Sequence, residues 1–163
     1  MQRITLLCVG KLKERFYSEA AAEYAKRLSR FCRLEIVELP EERLPEDPSP
    51  AQIDAALARE AENIRRKLPP SSRLVALCVE GRLRSSEELA RLMAAWAGGG
   101  NEAEKRLVFL IGGSFGLHES LKAQAAEKLS MSPMTFPHHL ARVMLLEQIY
   151  RACQINAGTR YHK

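Results

Sequence analysis

The sequence predicts an α/β fold: a single domain built on a mainly parallel sheet with helices on both faces. Five short apolar runs alternate with stretches of helical periodicity, which is typical of βα units. A chain of 163 residues buries roughly 70% of its unfolded surface, so one core needs no disulfide or metal to hold it. The sequence has no internal repeat and no low-complexity segment, and we expect one domain over residues 1–163.

The apolar runs predict five strands. The third and fourth runs are almost continuous Val, Leu and Ile, which is typical of central strands covered on both faces, whereas the fifth is weaker. The runs span residues 4–9, 33–39, 73–79, 105–112 and 128–132.

Five helices are predicted beside these strands, at residues 14–31, 50–67, 85–97, 117–127 and 137–155. Ser85 and Glu88 have the spacing of a capping box, and Gly98 to Gly100 are expected to stop that third helix. The apolar residues of the last helix lie on more than one face, so it is either deeply packed in the domain or packed against a second subunit. We therefore expect a homodimer.

The segment 40–50 contains four prolines and no apolar periodicity, so it is predicted to be an exposed loop within the domain. No stretch approaches the roughly 20 apolar residues needed to cross a bilayer. The first residues also lack the basic, apolar and small-residue order of a signal peptide. We expect a cytoplasmic protein that makes no membrane contact.

Neither the cysteines nor the histidines have the spacing of metal ligands. The cysteines form no C-x-x-C pair, and two of them lie in apolar strand-like runs, so a structural role is expected for all four. Adjacent histidines are expected to leave a helix in different directions. No metal site is predicted. The residues concerned are Cys8, Cys32, Cys78 and Cys153, and His118, His138, His139 and His162.

The formal net charge is +5, and the basic excess increases toward the C-terminus. From Asn101 onward, eight Lys and Arg stand against five Glu. Such an excess attracts a polyanion. It is equally consistent with a solvated surface whose charges are unbalanced by chance.

The segment LIGGSFGL, residues 110–117, raises the question whether Ser114 is a nucleophile. Gly112, Ser114 and Gly116 have the G-x-S-x-G spacing of a nucleophile elbow. A hydrolase of this type also needs a later acid and histidine, and an earlier oxyanion loop such as H-G-G-G. No Asp follows Asp54, and H-G-G-G is absent. A hydrolase is therefore disfavoured.

Nucleotide phosphate binding is disfavoured as well. The first βα turn, VGKLK, has Gly10 alone where a dinucleotide fingerprint needs three glycines, and Glu38 at the end of the second strand is then an ordinary polar residue. Neither GGSFG nor EGR is followed by Lys-Ser or Lys-Thr at the spacing of a P-loop.

Three loops remain, at the carboxyl ends of the last three strands: CVEGR (78–82), IGGSFG (111–116) and SMSPMTFPHH (130–139). Ligands of open parallel sheets bind at this edge. Glycines let the backbone approach a flat ring closely, and apolar side chains offer walls. Taken singly, each residue is better explained as a tight turn or a core position. Together they suit an adenine-bearing cofactor without a phosphate tail. The residues are Gly81, Gly112, Gly113, Gly116, Leu77, Met131, Met134 and Phe136.

Several longer segments are similar to those of a known family. They are LLCVGKLKE, AEYAKRL, LCVEGR, FLIGGSFGLH, MTFPHHLARVMLLEQIYRA and the terminal YHK. With these segments, the chain resembles nearly end to end the ribosomal RNA large subunit methyltransferase H family, of the SPOUT class of trefoil-knotted methyltransferases. The resemblance implies a SPOUT-like α/β knot with a deep C-terminal trefoil knot over about 73–163, which physical reasoning alone would not propose because threaded chains are rare.

The resemblance also implies the cofactor and its site. S-adenosylmethionine is expected to lie bent in the crevice between the three loops and to leave as S-adenosylhomocysteine, without a metal. Ser114 is then a loop residue and not a nucleophile. The implied cofactor contacts are Leu77, Gly112, Met131, Ser132, Pro133, Met134, Thr135 and Phe136.

The implied reaction is methylation of N3 of a pseudouridine in 23S rRNA on the assembled ribosome. The enzyme must align the methyl donor with the ring nitrogen and help remove the imide proton. His162 and Tyr161 are candidates for the proton step, in a C-terminal tail that the family places over a partner subunit's site. Arg142 is a candidate to hold phosphate or to stabilise negative charge on the base.

Each candidate role has an alternative. Terminal residues are often disordered, and Arg142 also fits a surface charge network with Glu147 and Arg151. His138, at the start of a helix opened by Pro137, either meets an anion or serves in capping or packing.

Recognition of RNA is expected to use the shape of the ribosome. The chain has no appended RNA-binding domain, and aromatic residues are only 6% of it, so Arg and Lys are expected to grip phosphates. The alternative function is a non-catalytic ribosome-binding or RNA-binding protein on the same fold.

Overall fold

The computed structural model describes residues 1–98 and 106–162. The strands are β1 (Gln2–Val9), β2 (Cys32–Leu39), β3 (Arg73–Leu83), β4 (Arg106–Ile111) and β5 (Glu127–Ser130). The helices are α1 (Arg15–Leu28), α2 (Pro50–Lys67), α3 (Ser86–Gly98), α4 (Glu119–Gln124) and α5 (His138–Asn156). The predicted alternation of strands and helices is confirmed. The largest difference in bounds is at β3, which continues beyond its predicted end at residue 79.

The five strands form one sheet in the order β2-β1-β4-β3-β5, and every neighbouring pair is parallel. β4 lies at the centre, with β1 and β3 on either side. The prediction that the third and fourth strands are central is therefore confirmed. Residues 4–9 of β1 and 107–111 of β4 are all buried, as expected for strands covered on both faces.

The core has two parts, one on each face of the sheet. On one face, side chains such as Val75 and Phe109 pack against α1, α3 and α5. On the other, Val108 and Leu110 pack against α2 and α4. The predicted architecture, helices on both faces of a parallel sheet, is confirmed. The deep C-terminal knot stays a prediction.

The third helix begins at the predicted capping box. The backbone N–H of Ser85 donates to the Glu88 carboxylate at 2.7 Å, and the backbone N–H of Glu88 donates to Ser85 Oγ at 3.2 Å. The helix ends at Gly98. Gly99 and Gly100, which were also predicted to stop it, lie outside the described residues.

The proline-rich segment is a loop, as predicted, but it is not simply exposed. The backbone N–H of Glu42 donates to Glu60 Oε1 at 2.8 Å, and Glu60 on α2 is only 6% exposed. At the other end, Ser49 and Gln52 form a capping box at the start of α2. The loop is thus attached to α2 by contacts that its own composition does not reveal.

The last helix is deeply packed within its own chain, one of the two predicted alternatives. α5 lies against both α1 and α3, so its apolar residues need to occupy more than one face. The predicted homodimer remains a prediction. The buried apolar residues of α5 are Ala141, Leu145, Leu146, Ile149 and Ala152.

The cysteines form no disulfide; Cys8 and Cys32 are buried, and Cys78 and Cys153 are partly buried. Burial raises the pKa of the Cys8 thiol to about 12, so the thiol stays protonated and unreactive at neutral pH. Within residues 1–98 and 106–162, no three His, Cys, Asp or Glu side chains gather as metal ligands. In the same ranges no helix is long and apolar enough to cross a membrane.

Candidate functional site

The three loops singled out from the sequence surround one cavity of about 740 Å³. The second and third follow β4 and β5, whose carboxyl ends meet at one edge of the sheet because the strands are parallel. The first, residues 78–82, was predicted to follow the third strand but is an irregular stretch inside β3, where the pairing with β5 shifts register between Leu77 and Arg82. The start of α5, at Pro137 and His138, forms another part of the wall. The cavity has the size and the apolar walls of a small-molecule site.

Most of the predicted cofactor contacts lie in this cavity wall. Pro133 belongs to the third loop but is not among the lining residues. The predicted contacts that line the cavity are Leu77, Gly112, Met131, Ser132, Met134, Thr135 and Phe136.

The second loop turns tightly on its glycines. The backbone N–H of Gly116 donates to the Gly113 carbonyl at 3.1 Å, and Gly116 has a φ of +81°, a conformation that favours glycine. A Cβ on Gly112 would lie 2.2 Å from the Gly116 carbonyl oxygen. The fold of this wall therefore excludes a side chain at position 112.

The first loop approaches β5 closely at Gly81. A Cβ there would lie 2.7 Å from the Leu129 carbonyl carbon and 2.8 Å from the Lys128 backbone. β3 and β5 pair on both sides of this point, with a shift of register between Leu77 and Arg82. Glycine at position 81 thus lets the two strands that frame the cavity stay in contact.

Hydrogen bonds within the third loop hold it in shape. Ser130 Oγ donates to the Ser132 carbonyl at 3.0 Å, and Ser132 Oγ accepts from the Met134 backbone N–H at 3.0 Å. The Met134 side chain is 71% exposed, although its residue lines the cavity. An apolar group at the mouth of the cavity is thus left in contact with water.

A lysine between two carboxylates joins the first loop to α4. Lys122, which lines the cavity, pairs with Glu80 of the first loop and with Glu119 at 2.6 Å. Burial opposes the charge, but the hydrogen bonds to Glu119 and Glu80 keep the pKa of Lys122 above its ordinary value. The ion pair therefore persists at neutral pH at one side of the cavity.

The two adjacent histidines do not diverge as predicted. The rings of His138 and His139 lie 4.0 Å apart, because the first residues of a helix have no preceding turn to restrict their rotamers. His138 packs near Gly10, where a Cβ would lie 3.4 Å from His138 Nε2. Burial lowers the pKa of His138, and His139 lowers it further, so His138 is neutral at pH 7.

Arg142 is buried beneath the cavity edge and is not a surface residue. Its guanidinium pairs with Glu38, and Nη2 donates to the Gly10 carbonyl at 2.9 Å. The predicted alternative, a surface network with Glu147 and Arg151, is therefore wrong for Arg142. The prediction that Glu38 is an ordinary polar residue is also wrong, since it pairs with buried Arg142. Strand order makes this possible by bringing the ends of β1 and β2 together beside α5.

The C-terminal tail folds back onto the side of α5 and reaches α3. The Tyr161 hydroxyl donates to Glu147 Oε1 at 3.2 Å, and Arg151 lies 4.8 Å from the Tyr161 ring centroid. His162 Nε2 lies 2.7 Å from the Glu87 carboxylate of α3. A hydrogen bond from its own backbone, and then one from His162, lowers the pKa of Glu87 to about 2, so Glu87 is charged.

Within one chain, Tyr161 and His162 are not among the residues that line the cavity. The cavity contacts the first residues of α5, His138 and Ala141. The tail folds back to the middle of the helix, at Glu147, about 14 Å from His138 along the helix axis. The structure thus brings the predicted cofactor contacts together but leaves His162 and Tyr161 away from the cavity of their own chain.

Ser114 has the surroundings of a loop residue. Its backbone N–H donates to Glu41 Oε1 at 2.7 Å. Within the described ranges its hydroxyl makes no hydrogen bond with a histidine, and His118 is engaged with Ser120 Oγ at 2.7 Å. Sequence reasoning missed Glu41, which lies only two residues beyond β2 at the edge of the sheet where the three loops meet. Its position after a strand was the available signal, but strand order was needed to use it.

Comparison with known proteins agrees with this geometry. Residues 2–162 match the family described as "Predicted SPOUT methyltransferase". The chain is 42% identical over 160 residues to the ribosomal RNA large subunit methyltransferase H of Lactobacillus delbrueckii subsp. bulgaricus, covering 98% of this chain and 99% of the relative. It is 44% identical over 160 residues to the protein of the same name from Leuconostoc mesenteroides, with the same coverage. The chain therefore belongs to the SPOUT methyltransferases and, among them, to the ribosomal RNA large subunit methyltransferase H family.

Proposed function

We propose that this protein is an S-adenosylmethionine-dependent methyltransferase that modifies N3 of a pseudouridine in 23S rRNA of the assembled ribosome, in the cytoplasm. The observation that carries the proposal is the cavity of about 740 Å³ enclosed by three loops at the carboxyl edge of the sheet, in a chain of this family. Its relatives are named as methyltransferases of large-subunit ribosomal RNA, which supports the same class of substrate.

The residues of the cavity fit a nucleoside-sized cofactor. Glycine backbones at positions 112, 113 and 116, and apolar side chains such as Leu77 and Phe136, form walls that suit a flat ring. Bound S-adenosylmethionine supplies a methyl group on a sulfonium, an electrophile strong enough to transfer without a metal. The task of the protein is to orient the base and exclude water, so positioning supplies most of the acceleration.

The tail residues serve the proton step in this proposal. Burial and Glu147 raise the pKa of the Tyr161 hydroxyl, so Tyr161 stays protonated and donates a hydrogen bond. We assign the imide proton to His162, whose imidazole has a ring nitrogen that can act as a base. Charged Glu87 beside His162 then stabilises the imidazolium that forms.

Arg142 acts in this proposal as a positioning residue. Its guanidinium is enclosed by protein, so it reaches neither phosphate nor base. It holds the Gly10 carbonyl instead, and Gly10 has a φ of +94° beside His138. Arg142 therefore maintains the turn after β1 at the edge of the site.

The site is completed by a second copy of the chain. Tyr161 and His162 do not line the cavity of their own chain, and we infer that they act on RNA where they reach the cavity of a partner. A homodimer in which each tail covers the partner's cavity meets this requirement.

In this proposal, the basic surface of such a dimer binds phosphates of the ribosomal RNA. A net charge of +5 per chain favours attraction to rRNA, and we expect recognition to use the phosphates and the shape of the ribosome. Isolated stem-loop RNA is therefore expected to be a poor substrate compared with ribosomes.

Titration with S-adenosylhomocysteine tests the cofactor site first. Wild-type protein and Ser114→Ala are expected to bind, whereas Gly112→Val is expected to lose binding because even a Cβ lies 2.2 Å from the Gly116 carbonyl oxygen. Methyl transfer is then measured on ribosomes that lack the modification, and mass spectrometry identifies the methylated nucleoside. Protein that binds ribosomes but neither binds S-adenosylhomocysteine nor transfers a methyl group to them would be the non-catalytic binder.

A further inference from the structure

Glu41 is not a cavity-lining residue, yet it holds the loop that forms the cavity wall. Its Oε1 accepts a hydrogen bond from the Ser114 backbone N–H at 2.7 Å. Hydrogen bonds to a carboxylate are about twice as strong as those between neutral groups. Glu41 and Ser114 are 73 positions apart in the sequence, so the fold alone brings them together.

The Glu41 side chain lies directly against the glycine backbone. A Cβ on Gly113 would lie 2.6 Å from Glu41 Oε1 and 2.8 Å from its Cδ, closer than real contacts allow. Oε2 lies 4.0 Å from the Cβ position of Gly10, near His138. The carboxylate thus occupies the point where β1, β4 and α5 meet beside the cavity.

The segment that carries Glu41 is itself anchored. Glu42 donates its backbone N–H to Glu60, and Arg59 Nε donates to Glu42 Oε2 at 3.1 Å. Both partners belong to α2, whose position is set by its core contacts. Anchoring the neighbouring residue lowers the entropy that Glu41 loses when it holds the glycine loop.

We propose that Glu41 is a positioning residue for methyl transfer: it fixes the glycine-rich loop 112–116 in the shape that takes the adenosyl group. The inference rests on the function proposed above and adds Glu41, two residues beyond β2, to the residues that shape the site. Glu41 acts through Gly113 and Ser114 and touches no ligand. Its main effect is therefore on cofactor affinity.

The test compares three variants of the full-length protein by calorimetric titration with S-adenosylhomocysteine. Glu41→Ala is expected to weaken binding about tenfold, the loss of one charge-assisted hydrogen bond. Glu41→Gln keeps an accepting oxygen and should stay within about threefold of wild type. Glu46→Ala, an exposed position in the same loop, is the matched control and should bind as wild type does.

Two further readouts separate positioning from general destabilisation. Amide hydrogen exchange at Ser114, measured without cofactor, should be about tenfold faster in Glu41→Ala and unchanged in Glu46→Ala. In methyl transfer, the KM for S-adenosylmethionine should rise in Glu41→Ala while kcat changes less.

The inference is overturned if Glu41→Ala binds S-adenosylhomocysteine like wild type with unchanged Ser114 exchange. It is also overturned if Glu41→Gln is as weak as Glu41→Ala, since the accepting oxygen would then be irrelevant. Wild-type protein that binds no S-adenosylhomocysteine would refute the proposed cofactor site instead, so the two failures are distinguishable.

Discussion

Arg142 places a guanidinium inside the protein, with 2% of its side chain exposed. A buried arginine is tolerated when carboxylates and carbonyls compensate its charge. Glu38 and the Gly10 carbonyl do so here. One side chain of α5 therefore ties together the ends of β1 and β2.

Replacing Arg142 by methionine should destabilise the protein by about 3 kcal/mol, because Glu38 and Gly10 lose their partner. Urea denaturation measures the change. Glu38→Gln alone, and the double variant, complete a thermodynamic cycle in which the two effects are expected not to add. An ordinary surface change alters the free energy of unfolding by up to about 0.5 kcal/mol. A change this small for Arg142→Met would contradict the role proposed for Arg142.

The titration of Glu60 makes the free energy of unfolding depend on pH. Burial raises the pKa of its carboxyl, although the Glu42 backbone N–H acts against this. A carboxyl whose pKa is higher in the folded state than in the unfolded state stabilises the fold at low pH, and this contribution is lost as the pH rises through the folded-state pKa.

Glu60→Gln should therefore be as stable as wild type near pH 4 and more stable at pH 7. The amide oxygen still accepts from Glu42, and no charge has to be buried. Urea unfolding at the two pH values gives the difference. Glu46→Gln in the same loop serves as the control, because Glu46 is exposed. A Glu60→Gln advantage that is the same at both pH values would rule out the titration as its source.

At the scale of elements, the cavity depends on how closely β3 and β5 approach. β5 is short and lies at the edge of the sheet, where it pairs with β3. Gly81 is the position where the approach leaves no room for a side chain. The third loop, which follows β5, depends on that contact for its place in the cavity wall.

Gly81→Ala should lower stability by about 2 kcal/mol, since the new methyl group meets backbone that cannot rotate away. The melting temperature should fall by roughly 4–8 °C for a domain of this size, and S-adenosylhomocysteine should bind more weakly. Gly98→Ala is the matched control, because a Cβ there meets nothing within 4 Å. If both variants have the melting temperature of wild type, β3 and β5 do not approach closely enough at position 81 to exclude a methyl group.

At the scale of the whole molecule, the position of the tail relative to the cavity decides how many chains make a site. The cavity lies at the first residues of α5, whereas Tyr161 and His162 contact Glu147 and Glu87 and do not line the cavity. Packing against α1 and α3 holds the helix in place. Because the tail residues are outside the wall of their own cavity, we propose a site shared by two chains.

Mixing two inactive variants tests the shared site. Gly112→Val has no cofactor cavity but keeps an intact tail. His162→Ala keeps the cavity but lacks the tail base. Each variant alone should therefore lose at least about 100-fold in kcat. Co-expressed at equal levels, they should recover about a quarter of wild-type activity, because half of the dimers then hold one complete site. No recovery in dimers shown to be mixed would contradict a tail that acts in the partner's cavity.

Much of the fold was predictable because its signals are local. The apolar runs mark the strands, and Ser85 with Glu88 marks the start of α3. The cavity wall was predictable from the rule that parallel strands present their following loops at one edge, together with the family resemblance. Glu41 and Glu38 were not recognised, because each has its partner more than 70 positions away.

The sequence by itself determined the α/β class, the positions of the elements, the three loops and the family. Local periodicity, capping patterns and characteristic segments carry that information. Only the tertiary structure decided that Arg142 is buried, that Glu41 holds the glycine loop, and that the tail folds back onto α5 outside the wall of its own cavity. These facts depend on strand order and helix packing, which bring together residues that are far apart in the sequence. The spacing of nearby residues in the sequence carries no signal of such contacts.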